Sequence, residues 1–198
     1  MQTLLVGSNN AHKVQEMKEI LETQGLARIL VPNDVANFPS DIAETGSTLE
    51  ENAYIKAMAI YENTLHTCLA DDTGLEVDAL QGAPGVLTAR YAGEHASYTE
   101  NRAKMLAALK DVPEAQRTAR FRTVICYRDE LRTLFAEGVC EGMIAQEERG
   151  SAGFGYDSIF IPQGYSQTFA ELSTEEKHRI SHRGLALRHF EEILRGLE

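Results

Sequence analysis

An apolar run that halts at four small or amide-bearing residues places the first constraint on this chain. "LLVGSNNAHKVQEM" (residues 4–17) passes from Leu4, Leu5 and Val6 through Gly7-Ser8-Asn9-Asn10 into a segment with Val14, Met17, Ile20 and Leu21 on one helical face. Residues 3–6 read as a buried strand and 13–22 as a helix that Gly25 ends. Strand feeding helix is the building unit of α/β architecture, and the pattern continues along the chain. Residues 28–31 read as a strand, 48–63 as a helix capped by Ser47 or Thr48, and 68–70 as a brief strand entering Asp71-Asp72-Thr73-Gly74. Residues 74–93 are loop-rich, and 98–109 form a helix. Residues 121–128 and 131–142 pair as strands, 158–161 is another strand, a helix starts near Ser173, and 185–194 is the last helix. The expected class is α/β with a mixed sheet. No repeat, low-complexity tract or composition break marks a linker, so 1–198 reads as one domain.

Charge narrows the function. The formal net charge is −11 over 198 residues, which counts against general nucleic-acid binding, because duplex binders carry a basic face. A small anionic ligand would need a local cluster of cations, a bound metal ion, or both. No apolar run approaches the roughly 20 residues that span a bilayer, and a cytoplasmic location is expected. Cys68, Cys126 and Cys140 each sit among apolar residues with no CxxC pair, the pattern of structural thiols.

Five segments carry chemistry-bearing residues. Ser8 to Lys13 would open a helix whose first N–H groups, with the Asn9 and Asn10 side chains and the Lys13 ammonium, suit a phosphate; the P-loop pattern GxxxxGK[ST] is absent. "ETGSTLEENAYIKA" (44–57) sets Glu44 before a helix that bears Asn52 and Lys56 four residues apart, and one or two carboxylates suffice for Mg²⁺. "ADDTG" puts two acids at a strand end, where one could face a ligand while the other binds backbone. A ligand-facing Asp72 could hold a metal ion and take a proton from water. "GFGYDSIF" (153–160) frames Phe154 with glycines, a plausible base-stacking platform. Lys177, His182 and Arg183 gather donors in one segment. Each segment alone also fits a structural role. Together they supply what nucleoside-triphosphate hydrolysis requires.

These blocks, with "SNNAHK" (8–13), "ADDTGLEVDALQGAPGVLTARYAG" (70–93) and "AELSTEEKHRISHRGLAL" (170–187), occur in one order along the chain. In that order they resemble the inosine triphosphate pyrophosphatase family, which includes the bacterial non-canonical purine NTP pyrophosphatases. The resemblance implies an elongated, two-lobed mixed α/β fold with a long central sheet, an active cleft between lobes, and a homodimer. It implies Mg²⁺-dependent hydrolysis of dITP, ITP and XTP to the monophosphate and pyrophosphate. By position, Ser8, Asn9, Asn10, Ala11, His12 and Lys13 would bind the triphosphate, His12 with no side-chain role of its own. Lys56 would face the phosphates, while Glu44 and Asp72 would hold Mg²⁺, Asp72 also accepting the proton of the attacking water. Thr73, where the family often has serine, and Arg90 would contact substrate. Phe154, Gly155, Tyr156 and Asp157 would meet the nucleoside, and Lys177, His182 and Arg183 would read the base. Ser158 stands where the family commonly has proline.

Overall fold

The opening apolar run forms strand β1 (Gln2–Gly7) in the computed structural model, which describes residues 2–25 and 27–196. Its neighbours β2 (Ala27–Leu30) and β3 (Cys68–Val77) both run parallel to it, with Leu4 opposite Ile29 and Val6 opposite Leu69. A strand flanked this way is covered on both faces, and Leu4, Leu5 and Val6 are all buried. Helix α1 (Ala11–Gln24) follows, capped by Asn10 and ended by Gly25 at φ +67°.

Helix α2 (Leu49–Thr64) starts at Thr48, whose hydroxyl accepts the Glu51 N–H at 3.1 Å while Glu51 accepts the Thr48 N–H at 3.2 Å. This reciprocal pair settles the cap on Thr48 rather than Ser47. The buried face of α2 is Leu49, Asn52, Ala53, Lys56, Ala57 and Ile60. A Cβ on Gly7 would lie 2.4 Å from Ile60 Cδ1 and 3.0 Å from the Leu69 carbonyl oxygen, so glycine is what lets α2 pack against the end of β1.

Strand β3 continues well past Ala70, where the sequence reading ended it. Asp71, Asp72 and Thr73 lie inside the strand because the acids' charges are matched there by cations rather than exposed in a loop. Beyond it lie β4 (Pro84–Gly85), α3 (Tyr98–Ala108), β5 (Thr118–Arg128) and β6 (Thr133–Ile144). Then come β7 (Phe160–Pro162), α4 (Thr174–Ile180) and α5 (His182–Arg195). The sheet order is β2-β1-β3-β5-β6-β7 with β4 on β3, and β3–β4 and β6–β7 are antiparallel. The expected mixed α/β class holds. Helix α5 starts three residues earlier than its apolar pattern suggests, so its first turn carries His182 and Arg183.

The chain divides into two compact units, neither a continuous stretch. Unit 1 holds the residues up to Asp72, Thr123–Gly138, and those from His182 on; unit 2 holds Thr73–Arg122 and Val139–Ser181. The core of unit 1 centres on Val6, Met17, Leu21, Leu69, Tyr127 and Phe190. That of unit 2 centres on Leu75, Met105, Phe121, Ile144, Phe160 and Phe169.

Candidate active site

Three helices of unit 1 aim cations at the two consecutive acids of β3. Lys13, on the first turn of α1, brings its Nζ to 3.2 Å from Asp71 Oδ2. Arg183, on the first turn of α5, donates from Nη2 to the same oxygen at 3.2 Å and from Nη1 to Glu16 at 2.5 Å. Lys56, from the buried face of α2, donates to Asp72 Oδ1 at 2.7 Å and to Glu44 Oε1 at 3.2 Å. Successive strand residues point to opposite faces, so the adjacent acids serve two ion clusters. Asp71 engages two side-chain cations, where the sequence reading left one acid of the pair to the backbone.

These surroundings drive the two carboxyls apart. Burial opposes ionisation of Asp71, but Lys13, Arg183 and Lys56 outweigh it and hold the carboxyl well below the usual carboxylate range. At Asp72 burial prevails over Lys56 and Lys13, with Glu44 adding to it, and the carboxyl rises above its ordinary value. One neighbour is a fixed anion and the other has raised proton affinity, the division of labour found where carboxylate pairs do acid–base chemistry. Burial also lowers the Lys13 ammonium, which Asp71 only partly restores. For Lys56 burial works against the charge, but Asp72, Asp71 and Glu44 together raise it.

The turn after β1 is spent differently from expectation. Asn10 Oδ1 accepts the N–H groups of His12 and Lys13 at 3.0 and 3.3 Å, so these two donors at the helix start are already capped. Asn9 donates to the carbonyls of Pro39 and Ser40 at 3.4 and 3.1 Å, and the Ser8 hydroxyl accepts the Asn10 N–H at 3.2 Å. Ala11 and His12 are exposed on the first turn of α1. The cationic side chains Lys13 and Lys56 are instead engaged by Asp71, Asp72 and Glu44. Among the described residues no three His, Cys, Asp or Glu side chains form a metal cage. Glu44 and Asp72 nonetheless bring oxygens to one ammonium, and such a hard, two-carboxylate donor set fits Mg²⁺, which keeps several waters and takes further oxygens from phosphates.

Unit 2 holds the aromatic part of the sequence-predicted site. Lys177 Nζ lies 2.6 Å from Asp157 Oδ2 and 5.2 Å from the centre of the Phe154 ring, and the Tyr98 ring centre lies 6.0 Å from that of Phe154. The same Asp157 oxygen accepts the Phe154 N–H at 2.8 Å. A Cβ on Gly153, at φ +75°, would fall 2.1 Å from Asp157 Oδ2, which is why the turn needs glycine there. Gly155 at φ +60° completes the turn. Tyr156 instead faces the core of unit 2, its hydroxyl donating to the Thr88 carbonyl at 2.9 Å. Thr73 is half-buried on β3, and Arg90 is half-buried at the end of a short helical turn.

Supports that the sequence reading missed include Glu16, which holds Arg183, and Asn101, which accepts the Ala92 N–H at 2.7 Å and donates to the Ala89 carbonyl at 2.9 Å. Arg102 is another: it donates to the Gly155 carbonyl at 2.9 Å and to Glu148 at 2.8 Å, and Glu148 accepts the Ser158 hydroxyl at 3.1 Å. The spacing of Glu16 and Lys13, three apart on one helix face, was the available signal for the first. Arg102 and Glu148 lie too far apart in sequence to leave one.

The family model for the Ham1 family matches residues 4–193. A dITP/XTP pyrophosphatase of Desulforamulus reducens is 48% identical over 197 residues, covering 98% of this chain and 96% of that protein. One from Bacillus subtilis is 44% identical, with 98% of each covered. Among solved structures, a HAM1 protein from Coxiella burnetii superposes with a TM-score of 0.86 at 41% identity, covering 99% of this chain and 100% of that one. The Staphylococcus aureus Ham1 protein gives 0.85 at 37% identity, with both chains wholly covered. A match that runs through both ion clusters of unit 1 and the aromatic turn of unit 2 bears out the motif resemblance: the chain belongs to the Ham1 family.

Proposed function

We propose that this chain is a nucleoside-triphosphate pyrophosphatase that hydrolyses dITP, ITP and XTP to the monophosphate and pyrophosphate, removing deaminated purines from the nucleotide pool. The names of its relatives support the substrate class. The observation that carries the chemistry is the geometry of the acid pair: Asp71 is held by Lys13 and Arg183, while Asp72 meets Lys56, which also holds Glu44.

Asp72, a buried carboxylate held by Lys56 and Asn52, takes the proton as water attacks the α-phosphorus. Lys13 and Lys56 bind phosphate oxygens and offset the charge that gathers on the departing pyrophosphate. Three cations, Lys13, Lys56 and Arg183, face four carboxylates, Glu16, Glu44, Asp71 and Asp72, in unit 1. Protein charge alone does not neutralise a triphosphate there. Mg²⁺ on Glu44 and Asp72 would supply the missing charge and polarise the phosphoryl oxygens. Phe154 offers a stacking face for the base, with Asp157 and Lys177 beside it. Hypoxanthine and xanthine carry a 6-oxo acceptor where adenine has an amino donor, so a donor beside the Phe154 ring, such as the Lys177 ammonium, would meet an acceptor in the 6-oxo purines and another donor in ATP. By the same family reading the enzyme is a cytoplasmic homodimer. Among the described residues no helix is long and apolar enough to cross a membrane.

The test is a panel of dITP, ITP, XTP, ATP, GTP, dUTP and dTTP with and without Mg²⁺, scored for pyrophosphate against orthophosphate. Pyrophosphate from the 6-oxo purines dITP, ITP and XTP, dependent on the metal, is expected. Orthophosphate would move the attack to the γ position, and preference for dUTP or dTTP would reassign the substrate to pyrimidines.

A further inference from the structure

Asn52 lies on the buried face of α2, fully excluded from solvent, between apolar neighbours Leu49 and Ala53. A buried amide is costly unless both of its ends are satisfied. Its Oδ1 accepts the Gly46 N–H at 2.8 Å. That bond fixes the orientation of the amide, because a backbone N–H needs an acceptor, and so Nδ2 is the end that faces Asp72. Nδ2 donates to Asp72 Oδ2 at 3.3 Å, while Lys56, one turn further along α2, donates to the other oxygen, Oδ1, at 2.7 Å. Each oxygen of the carboxylate is thus held by one residue of the same helix. Gly46, two positions beyond Glu44, has no room for a side chain: a Cβ there would sit 2.6 Å from Glu51 Cβ and 2.7 Å from Asn52 Oδ1.

We infer that Asn52 is a positioning residue, a clamp whose amide ties the segment bearing Glu44 to the carboxylate of Asp72 and sets the two acids in one fixed relation. Lys56 donates to both Glu44 and Asp72, but as a rotatable point charge with three equivalent donors it fixes the plane of neither carboxylate. The amide does, through two directional bonds of opposite sense. The catalytic consequence rests on the pyrophosphatase reading; the clamp itself does not.

Three variants separate these. Asn52→Leu removes both bonds at nearly constant volume. Asn52→Asp keeps the acceptor for Gly46 but turns an oxygen on Asp72. Gly46→Ala leaves Asn52 in place and crowds the contact, and it serves if Asn52→Leu does not fold. In protein free of metal and substrate, amide exchange at Gly46 is expected to accelerate about 10-fold or more in Asn52→Leu and Gly46→Ala, and to stay slow in Asn52→Asp. With dITP and Mg²⁺, kcat is expected to fall about 10–100-fold in both Asn52 variants, as for other residues that orient metal ligands, with KM within about threefold of the parent. Unchanged exchange at Gly46 in the folded Asn52→Leu or Gly46→Ala protein overturns the clamp. A kcat within twofold of the parent, or a loss that appears mainly in KM, overturns its catalytic positioning role. If the parent itself releases no pyrophosphate from dITP, the functional reading fails, and the exchange arm alone then decides the role of Asn52.

Discussion

Asp71 and Asp72 are neighbours on β3, yet removing either charge disturbs different partners. Asp72→Asn keeps the shape of the side chain and loses the proton acceptor. Turnover of dITP is expected to fall about 10²–10⁴-fold with a thermal melt close to the parent's, and a near-normal kcat would refute the role given to Asp72. Asp71→Asn instead removes the carboxylate that Lys13 and Arg183 share, while Arg183 keeps Glu16. Stripping one partner from a buried ion cluster costs about 3–5 kcal/mol, so a loss of that order in denaturant-monitored stability at pH 7 is expected, and a variant as stable as the parent would contradict it. The sign of the pH dependence follows. Because the folded carboxyl of Asp71 is depressed relative to the unfolded value near 3.9, its contribution is fully present above that value and drains away as pH falls below it. The parent should therefore lose stability more steeply than Asp71→Asn between about pH 4 and pH 2, as read from urea midpoints.

At the scale of elements, a single cation holds together the region after α3. Arg117 is buried and donates to the carbonyls of Leu109 at 2.7 Å, Ala145 at 2.9 Å and Val112 at 3.0 Å, with no carboxylate partner among the described residues. Carbonyls near a helix C-terminus carry partial negative charge and suit a guanidinium. Arg117→Met is expected to cost about 2–3 kcal/mol and to lower Tm by roughly 4–12 °C for a chain of this size; an unaltered melting curve would show the fork to be idle. Helices were the legible elements. Leu49, Ala53, Ala57 and Ile60 mark one face of α2, and the presence of Asn52 and Lys56 on that same face announces a polar demand there. Strand β3 was legible only in part, since its acids resemble a loop until the cations from α1, α2 and α5 are in place. Lys56, Glu44 and Asp72, singled out by local pattern and motif, do meet as ion pairs. The pairing of Asp71 with Arg183, 112 positions apart, was not legible. Tyr156 differs from its motif neighbours: Phe154 and Asp157 form the turn, while its own ring packs in the core of unit 2.

For the whole molecule, the three cysteines report on cooperativity. Cys68 and Cys126 lie in unit 1 and Cys140 in unit 2, all buried, and burial pushes each thiol up to about 12. At pH 8 the native protein should react negligibly with a disulfide reagent, and three thiols should appear on denaturation. Strands β3, β5 and β6 each contribute to both units, so the three should become reactive together as denaturant rises. Earlier labelling of Cys140 would show that unit 2 opens by itself. The backbone passes from one unit to the other four times. No single cut in the gene can release either half intact, and no single crossover between relatives can exchange one half whole.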